Sequence, residues 1–392
     1  MNIKLDNFKK SIKNKRVAVL GMGVSHIPLI GYLHNLGSNI TVFDKSDEEK
    51  LKTDIDGFAG MDIKYSLGDN YLEALKGFDI IFKTPGMRYD IPQIMDARKE
   101  GAVITSETEV FLELCPAEIF GITGSDGKTT TATLIYKLLQ EGGYNCWLGG
   151  NIGTPLLSKI DEIKKNDMVV LELSSFQLHT MTQSPHTAII TNMSPNHLDV
   201  HKSMEEYVAA KKNIFKYQMS QNRLILNYDN GITREFASGA KAETIFFSRK
   251  NTLAYGAMLM GNTIMYKDSK REIEIMDKDD IAIPGLHNIE NYLAAITSVI
   301  DFVKPDAIKR VATTFKGVEH RNEPVRAVGG VRFYNDSIAS SPTRTIAGLN
   351  SFKQRVILIA GGYDKKISYD VLGKTLLQKV KCLILMGCTG PK

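Results

Sequence analysis

The sequence is poor in the features that would take it out of the class of ordinary globular chains. No uninterrupted apolar run approaches the ~20 residues a helix needs to cross a bilayer. Residues 1–16, MNIKLDNFKKSIKNKR, are basic and polar and hold no apolar h-region, so they do not read as a secretory signal. A cytoplasmic chain with no membrane insertion is the expectation. Cysteine is scarce, and Cys115, Cys146, Cys382 and Cys388 form no CxxC pair and stand beside no histidine cluster. Reduced thiols are therefore expected, not a zinc site or a disulfide frame. A strong charge of one sign is also missing. The formal net charge of +5 suits small anionic substrates such as nucleotides and gives no case for nucleic acid. Heptads, internal repeats and low-complexity tracts are absent as well, which leaves a globular chain.

What is present is a chain of 392 residues, 43% hydrophobic and 24% charged. Single cores rarely grow past roughly 250–300 residues, so two or three domains are expected. In residues 1–115, short apolar runs at 16–20 (RVAVL), 40–43 (ITVF), 79–82 (DIIF) and 103–105 alternate with helical patterns. Continuous apolar runs spaced by helices indicate a parallel sheet covered on both faces, here a Rossmann-like domain. Residues 116–317 read as a second, P-loop domain. Its strands are expected at 118–122, 167–171 and 186–191, with a helix at 129–140. The stretch 223–283 reads as a small extra β-sheet on its flank, followed by a helix from 288 to 301. Residues 318–392 read as a third unit with strands at 331–334, 355–359 and 382–386. The fold class is thus α/β, three Rossmann-like or P-loop domains with mainly parallel sheets. The last apolar run, CLILM, reads as a buried parallel strand, which normally leads into a covering helix. The third domain is therefore expected to be incomplete.

The strongest motif is GITGSDGKTT at residues 121–130. It follows an apolar strand and opens a helix. Glycines let the backbone curl so that N–H groups face phosphate oxygens, and the helix N-terminus adds its positive end. Gly124, Ser125, Asp126, Gly127, Lys128, Thr129 and Thr130 thus form a candidate ATP loop. Lys128 is placed to reach the β- and γ-phosphates, and the Thr129 hydroxyl to ligate Mg²⁺. The spacing is G-x-x-G-x-x-G-K-T, with Ile122 where the common loop has glycine, so a glycine-rich turn before a lysine is the plainer alternative. Glu172 ends the apolar strand MVVLE, and strand C-termini in parallel sheets open onto the ligand crevice. His197 and Asp199 follow the next strand. Glu172 alone reads equally well as a solvated strand-end charge, and a lone histidine more often as a structural residue, but two such strand ends after one phosphate loop favour function.

A second glycine loop, Gly21-Met-Gly23-Val24-Ser25-His26, also joins a strand to a helix, and Asp44 ends the next strand about twenty residues on. His26 stands where a dinucleotide fingerprint has its third glycine. Read by itself, the loop is a weak NAD motif.

The blocks GITGSDGKTT, LELSSFQL, NMSPNHLD and GVEHRNE stand in the order found in Mur ligases, and the sequence resembles that family from about residue 16 onward. The resemblance implies a uridine-nucleotide domain, an ATPase domain and a closing domain. LELSSFQL further resembles the members that join D-glutamate to UDP-N-acetylmuramoyl-L-alanine, with ATP and an acyl-phosphate intermediate. Carried over by motif, Lys128 would hold the ATP phosphates, and two Mg²⁺ ions would be held by Thr129, Glu172, His197 and Lys211. Lys211, in YVAAK, matches a lysine that takes up CO₂ as a carbamate; without the resemblance it reads as a surface lysine of a helix. Asn288, Arg321 and Asp336 would contact ATP. Asn151, in GGNIG, and Ser174, in LELSSFQL, would lie by the muramoyl substrate, and Lys365, in GGYDK, by D-glutamate. Gly23, Val24, Ser25, Asp44 and the turn Thr84-Pro85-Gly86 would take the UDP part. A monomer is expected, though no residue pattern fixes oligomeric state.

The chain departs from the family in having Ile338 where lysine often follows the NDS triplet. It also lacks the later helices and serine loop that contact D-glutamate, which leads to the expectation of an incomplete ligase with weak D-glutamate affinity and slow turnover. A folylpolyglutamate-synthase-like ligase and a nucleotide-binding protein without turnover remain alternatives. An NAD oxidoreductase is disfavoured by the phosphate loop.

Overall fold

The computed structural model describes residues 2–194, 203–320, 322–339, 341–364 and 368–391. The continuous apolar runs become buried strands of two large sheets. In the first sheet, β1 (Arg16–Leu20), β2 (Asn39–Asp44), β3 (Ile63–Leu67), β4 (Ile80–Lys83) and β5 (Val103–Thr105) lie in the order β3-β2-β1-β4-β5. All pairs are parallel. Val17, Ala18, Val19 and Leu20 of the central strand are fully buried, as strands covered on both faces require. The edge strand β3, IKYSL, has no fully buried residue, and its polar alternation is why it does not stand out as a strand in the sequence.

The second sheet has β6 (Glu118–Thr123), β7 (Cys146–Gly150), β8 (Met168–Glu172), β9 (Thr187–Ile190), β10 (Arg223–Asn227), β11 (Glu243–Ser248), β12 (Gly256–Met260), β13 (Thr263–Lys267) and β14 (Glu272–Asp277). They form one sheet, ordered β14-β13-β12-β11-β10-β9-β6-β8-β7. The flank expected as a small extra sheet is therefore a continuation of the main one. The reason is local. β12 pairs in parallel with β11 through Phe246, Phe247 and Ser248, so the antiparallel strands β13 and β14 extend an existing edge. Gly256 makes that pairing possible. Its φ is +124°, and a Cβ there would stand 1.7 Å from the Phe246 carbonyl oxygen.

Helices cover both faces. The helix Lys128–Glu141 packs against Leu286–Val299 on one side of the large sheet. On the other side the two sheets share an apolar cluster, in which Leu29 and Leu33 of the helix His26–Asn35 join Leu156, Leu157 and Ile160. The first two units are thus welded through a common core. No helix among the described residues is long and apolar enough to cross a membrane.

The third unit is lighter. β15 (Glu323–Val328) and β16 (Val331–Asn335) make an antiparallel hairpin, and β17 (Val356–Gly361) pairs in parallel with β18 (Val380–Met386). The run CLILM is a parallel strand, as read, but it is not buried. Leu383, Ile384, Leu385 and Met386 are all exposed, because a two-stranded sheet offers few covering elements. The helix Pro342–Asn350 of this unit stands over the large sheet's phosphate loop.

Gly256→Ala is expected to cost roughly 2–3 kcal/mol through strain and the clash with Phe246. A thermal melt checks this, and a change within about 0.5 kcal/mol would show that the strand junction tolerates a side chain.

Candidate active site

β6 ends at Thr123, and the chain turns through residues 124–127 into the helix Lys128–Glu141. Gly124 (φ +146°) and Gly127 (φ +81°) admit no side chain. A Cβ would come within 2.0 Å of Thr191 Oγ1 at the first and 2.3 Å of Asn291 Oδ1 at the second. The loop is fastened to the segment after β9. Ser125 N donates to the Asn192 carbonyl at 2.9 Å, and Asp126 N to Asn192 Oδ1 at 2.9 Å. The Ser125 hydroxyl donates to the Ser194 carbonyl at 2.8 Å and lies 3.0 Å from the Tyr207 hydroxyl. The loop shape is therefore set before any ligand arrives. Lys128 Nζ folds over it, donating to the carbonyls of Gly124 (3.0 Å) and Ser125 (3.2 Å).

Beside the loop stands Glu172, at the C-terminal end of β8 and only 2% exposed. Thr129 Oγ1 donates to its Oε2 at 2.7 Å, and Asn151 Nδ2 to its Oε1 at 2.9 Å. The Asn151 amide also holds the Glu172 carbonyl at 2.7 Å. A buried carboxyl group served by neutral donors, with no ion-pair partner among the described residues, offers oxygen ligands suited to a hard cation. Lys211, in the helix Met204–Lys216, is 1% exposed rather than on the surface. Its Nζ donates to Thr123 Oγ1 at 2.9 Å and sits 5.0 Å from the centre of the Tyr207 ring. Burial first, then repulsion from Lys128, holds this amine well below the usual lysine range, with Glu172 opposing. It is thus biased toward the neutral, nucleophilic form.

A cleft of about 180 Å³ opens over the loop, walled by Asp126, Gly127, His287, Asn291, Asp336 and Arg344, among others. Asn288 lies one layer behind it. Its Oδ1 accepts from Asn291 Nδ2 at 3.1 Å, and its own Nδ2 donates to the Pro284 carbonyl at 2.7 Å. Asp336 accepts from Asn322 N at 3.0 Å. Arg344 reaches from the third unit to Asp126 Oδ1 (2.7 Å) and the Ser125 carbonyl (3.1 Å), and Thr343 Oγ1 reaches Asp126 Oδ2 (3.1 Å). Sequence reading missed Asn291, Thr343 and Arg344. Only Pro342, a helix-opening signal just before Thr343 and Arg344, marked that place. His197, Asp199, Arg321 and Lys365 lie outside the described residues.

The other candidate residues gather where β1, β2 and β4 end. Met22 N donates to Asp44 Oδ2 at 2.8 Å, and Ser46 N to Asp44 Oδ1 at 2.8 Å. Gly23, Val24 and Ser25 form the open loop above, with Val24 82% exposed. His26 fills the third-glycine position because its buried ring ties back to the Gly21 carbonyl at 2.8 Å. Thr84 packs against Gly21, and Pro85 and Gly86 border a small recess shared with Lys83, Arg88, Phe176 and His179. Phe176 belongs to the short helix Ser175–Leu178, which Ser174 caps through its bond from Gln177 N. Arg88 clamps Asp90 with two bonds and Glu206 at 2.9 Å, so this recess also ties the first unit to the helix that carries Lys211.

Comparison with known proteins bears on this geometry. Residues 15–106 match the Mur ligase MurD-like N-terminal domain, and residues 122–299 the Mur ligase middle domain. The UDP-N-acetylmuramoylalanine–D-glutamate ligase of Acetivibrio thermocellus is 68% identical over 392 residues, which are 100% of this chain and 84% of that one. Two solved structures from Thermotoga maritima share the fold. UDP-N-acetylmuramate-alanine ligase superposes with a TM-score of 0.58 at 20% identity, over 95% of this chain and 85% of its own. A MurF ligase in complex with ADP does so with a TM-score of 0.55 at 17% identity, over 97% and 87%.

Lys83 generates a pH test. It is 3% exposed, and burial pushes its ammonium down to about 8 from 10.5, with Glu109 partly opposing. Between those values the unfolded chain binds the extra proton, so wild-type stability rises with pH through that window. Lys83→Met should therefore melt higher than wild type at pH 7, by on the order of 2–3 kcal/mol, and the gain should shrink toward pH 10. A gain that is independent of pH would contradict a buried, reluctantly charged lysine.

Proposed function

Because the chain belongs to the Mur ligase family, we propose that it joins D-glutamate to UDP-N-acetylmuramoyl-L-alanine, converting ATP to ADP and phosphate, in peptidoglycan precursor synthesis. The observation that carries this reading is the chain of contacts from the phosphate loop through Thr129 and Glu172 to Asn151, in a sequence 68% identical to a ligase of that specificity. It runs from the nucleotide side of the site to the side where the muramoyl carboxylate must arrive. We assign the reaction to the cytoplasm, where ATP is made available.

The chemistry follows from the charges. The L-alanyl carboxylate attacks the γ-phosphorus, a new C–O–P link forms, and the bond to the β-phosphate oxygen breaks to release ADP. The D-glutamate amine then adds to the acyl-phosphate carbonyl, phosphate leaves, and the amine proton is lost. The first step brings two anions together, so its barrier is largely electrostatic. Lys128 and the N-terminus of its helix offset that repulsion on the nucleotide side. Asn288 and Asp336 serve the nucleotide beyond the phosphates. Asp44, the loop of Gly23, Val24 and Ser25, and the turn Thr84-Pro85-Gly86 hold the UDP end. Asn151 and Ser174 orient the muramoyl end. Domain closure then supplies proximity.

Mg²⁺ fits the oxygen donors Thr129 and Glu172, and when bound it would neutralise phosphate charge. Lys211 fits carbamylation, because burial biases its amine toward the neutral form that reacts with CO₂, and the product would add a carboxylate to that set of oxygen donors. His197 would complete that set, and Arg321 and Lys365 would face ATP and D-glutamate.

The reading is tested by ADP release that requires both UDP-N-acetylmuramoyl-L-alanine and D-glutamate. Release that needs neither, or only one, would point to a nucleotide-binding protein without ligation. Lys128→Ala is expected to lower kcat at least about 100-fold while leaving calorimetric affinity for the UDP substrate largely unchanged. Equal loss of UDP-substrate affinity would contradict separate nucleotide and UDP sites. Lys211→Ala is expected to be nearly inactive and to regain activity with added short carboxylates. Wild-type rates in that variant would remove Lys211 from the site.

A further inference from the structure

Two cations from different units converge on one carbonyl oxygen. Lys128 Nζ lies 3.2 Å from the Ser125 carbonyl, and Arg344 Nη2 lies 3.1 Å from the same atom. Lys128 rises from the loop itself, whereas Arg344 descends from the helix Pro342–Asn350 of the third unit. Both also repel the buried Lys211 amine, so their charges are felt at the same place. The Arg344 guanidinium is well fixed. Nε donates to Asp126 Oδ1 at 2.7 Å, and Nη1 donates to the Ile338 carbonyl at 3.2 Å. Its side chain is only 15% exposed and borders the cleft over the loop.

We propose that Arg344 is a γ-phosphate-binding residue: with ATP in the loop its guanidinium exchanges the Asp126 carboxylate for the terminal phosphate, an exchange that ADP does not drive. The inference rests on the ligase reading above for the identity of the nucleotide. The planar fork of Arg344 suits a phosphate as well as a carboxylate, and a terminal phosphate brings about twice the charge of Asp126. Asp126 keeps a partner after the exchange, because Thr343 Oγ1 already donates to its Oδ2 at 3.1 Å. During phosphoryl transfer Arg344 moves no proton. It donates N–H bonds to non-bridging oxygens while the bond to the ADP oxygen breaks and the bond to the substrate carboxylate forms. ADP lacks the group that competes with Asp126, so the ion pair of Arg344 with Asp126 reforms after ADP is made. The partner of the fork thus differs between the ATP and ADP states.

The test is nucleotide discrimination by the full chain. Calorimetric affinities for Mg-ATP and Mg-ADP are measured without the other substrates, for wild type, Arg344→Ala and Arg344→Lys. Wild type is expected to prefer ATP. Arg344→Ala should lose at least about 10-fold of that preference, entirely on the ATP side, and should lower kcat by about 100-fold or more. Arg344→Lys, which keeps the charge without the fork, should fall between them, and it carries the test if the alanine variant does not fold. An unchanged ATP-to-ADP ratio in both variants, or a wild type with no preference, would overturn the proposal. The binding measurement needs no turnover, so it decides the role of Arg344 even for a wild type that releases no ADP, an outcome that counts against the ligase reading alone.

Discussion

The site depends on one buried carboxylate. Glu172 sits at the end of β8 with its two oxygens divided between Thr129, on the loop helix, and Asn151, beyond β7. Burying a charge is unfavourable unless it is well served by donors, and the local structure is arranged to serve it. Gly150, with φ +90°, lets the chain pass within 2.2 Å, measured from a would-be Cβ, of the Glu172 carbonyl. That turn is what delivers the Asn151 amide and side chain to the same residue. The phosphate loop, the candidate metal face and the candidate muramoyl face are therefore three sides of a single polar knot.

Around that knot the units differ in how they are joined. The first and central units share a core, and Arg88 adds an ion pair to Glu206 across their junction. The third unit touches the loop through polar contacts of Thr343 and Arg344, and its β17 and β18 expose apolar residues on a two-stranded sheet.

Much of the fold was legible in the sequence, and the reasons are specific. RVAVL, MVVLE and TAII are continuous apolar runs, and such runs have few fates other than buried parallel strands. The strands at Ile63–Leu67 and Cys146–Gly150 lie at sheet edges, where polar and glycine residues are tolerated and periodicity fades. The extension of the central sheet through β12 was hidden because it depends on one backbone approach at Gly256. At the candidate site, the glycine loop and Glu172 stand out in the sequence through strand–loop–helix order. Asn291 and Arg344 do not, since each reaches the loop from more than 150 positions away in the chain, which no local pattern encodes. Lys211 reads as a surface lysine in its own helix. Only the tertiary burial beside Thr123 gives it another chemistry.

The central claim is that the substrate carboxylate attacks a γ-phosphate held over this loop. Isotope transfer tests it most directly. UDP-N-acetylmuramoyl-L-alanine labelled with ¹⁸O in its L-alanyl carboxylate is turned over with unlabelled ATP and D-glutamate, and the released phosphate is weighed by mass spectrometry. An acyl phosphate requires one labelled oxygen to leave in each phosphate formed. Phosphate that carries no label, with product still made, would contradict the account.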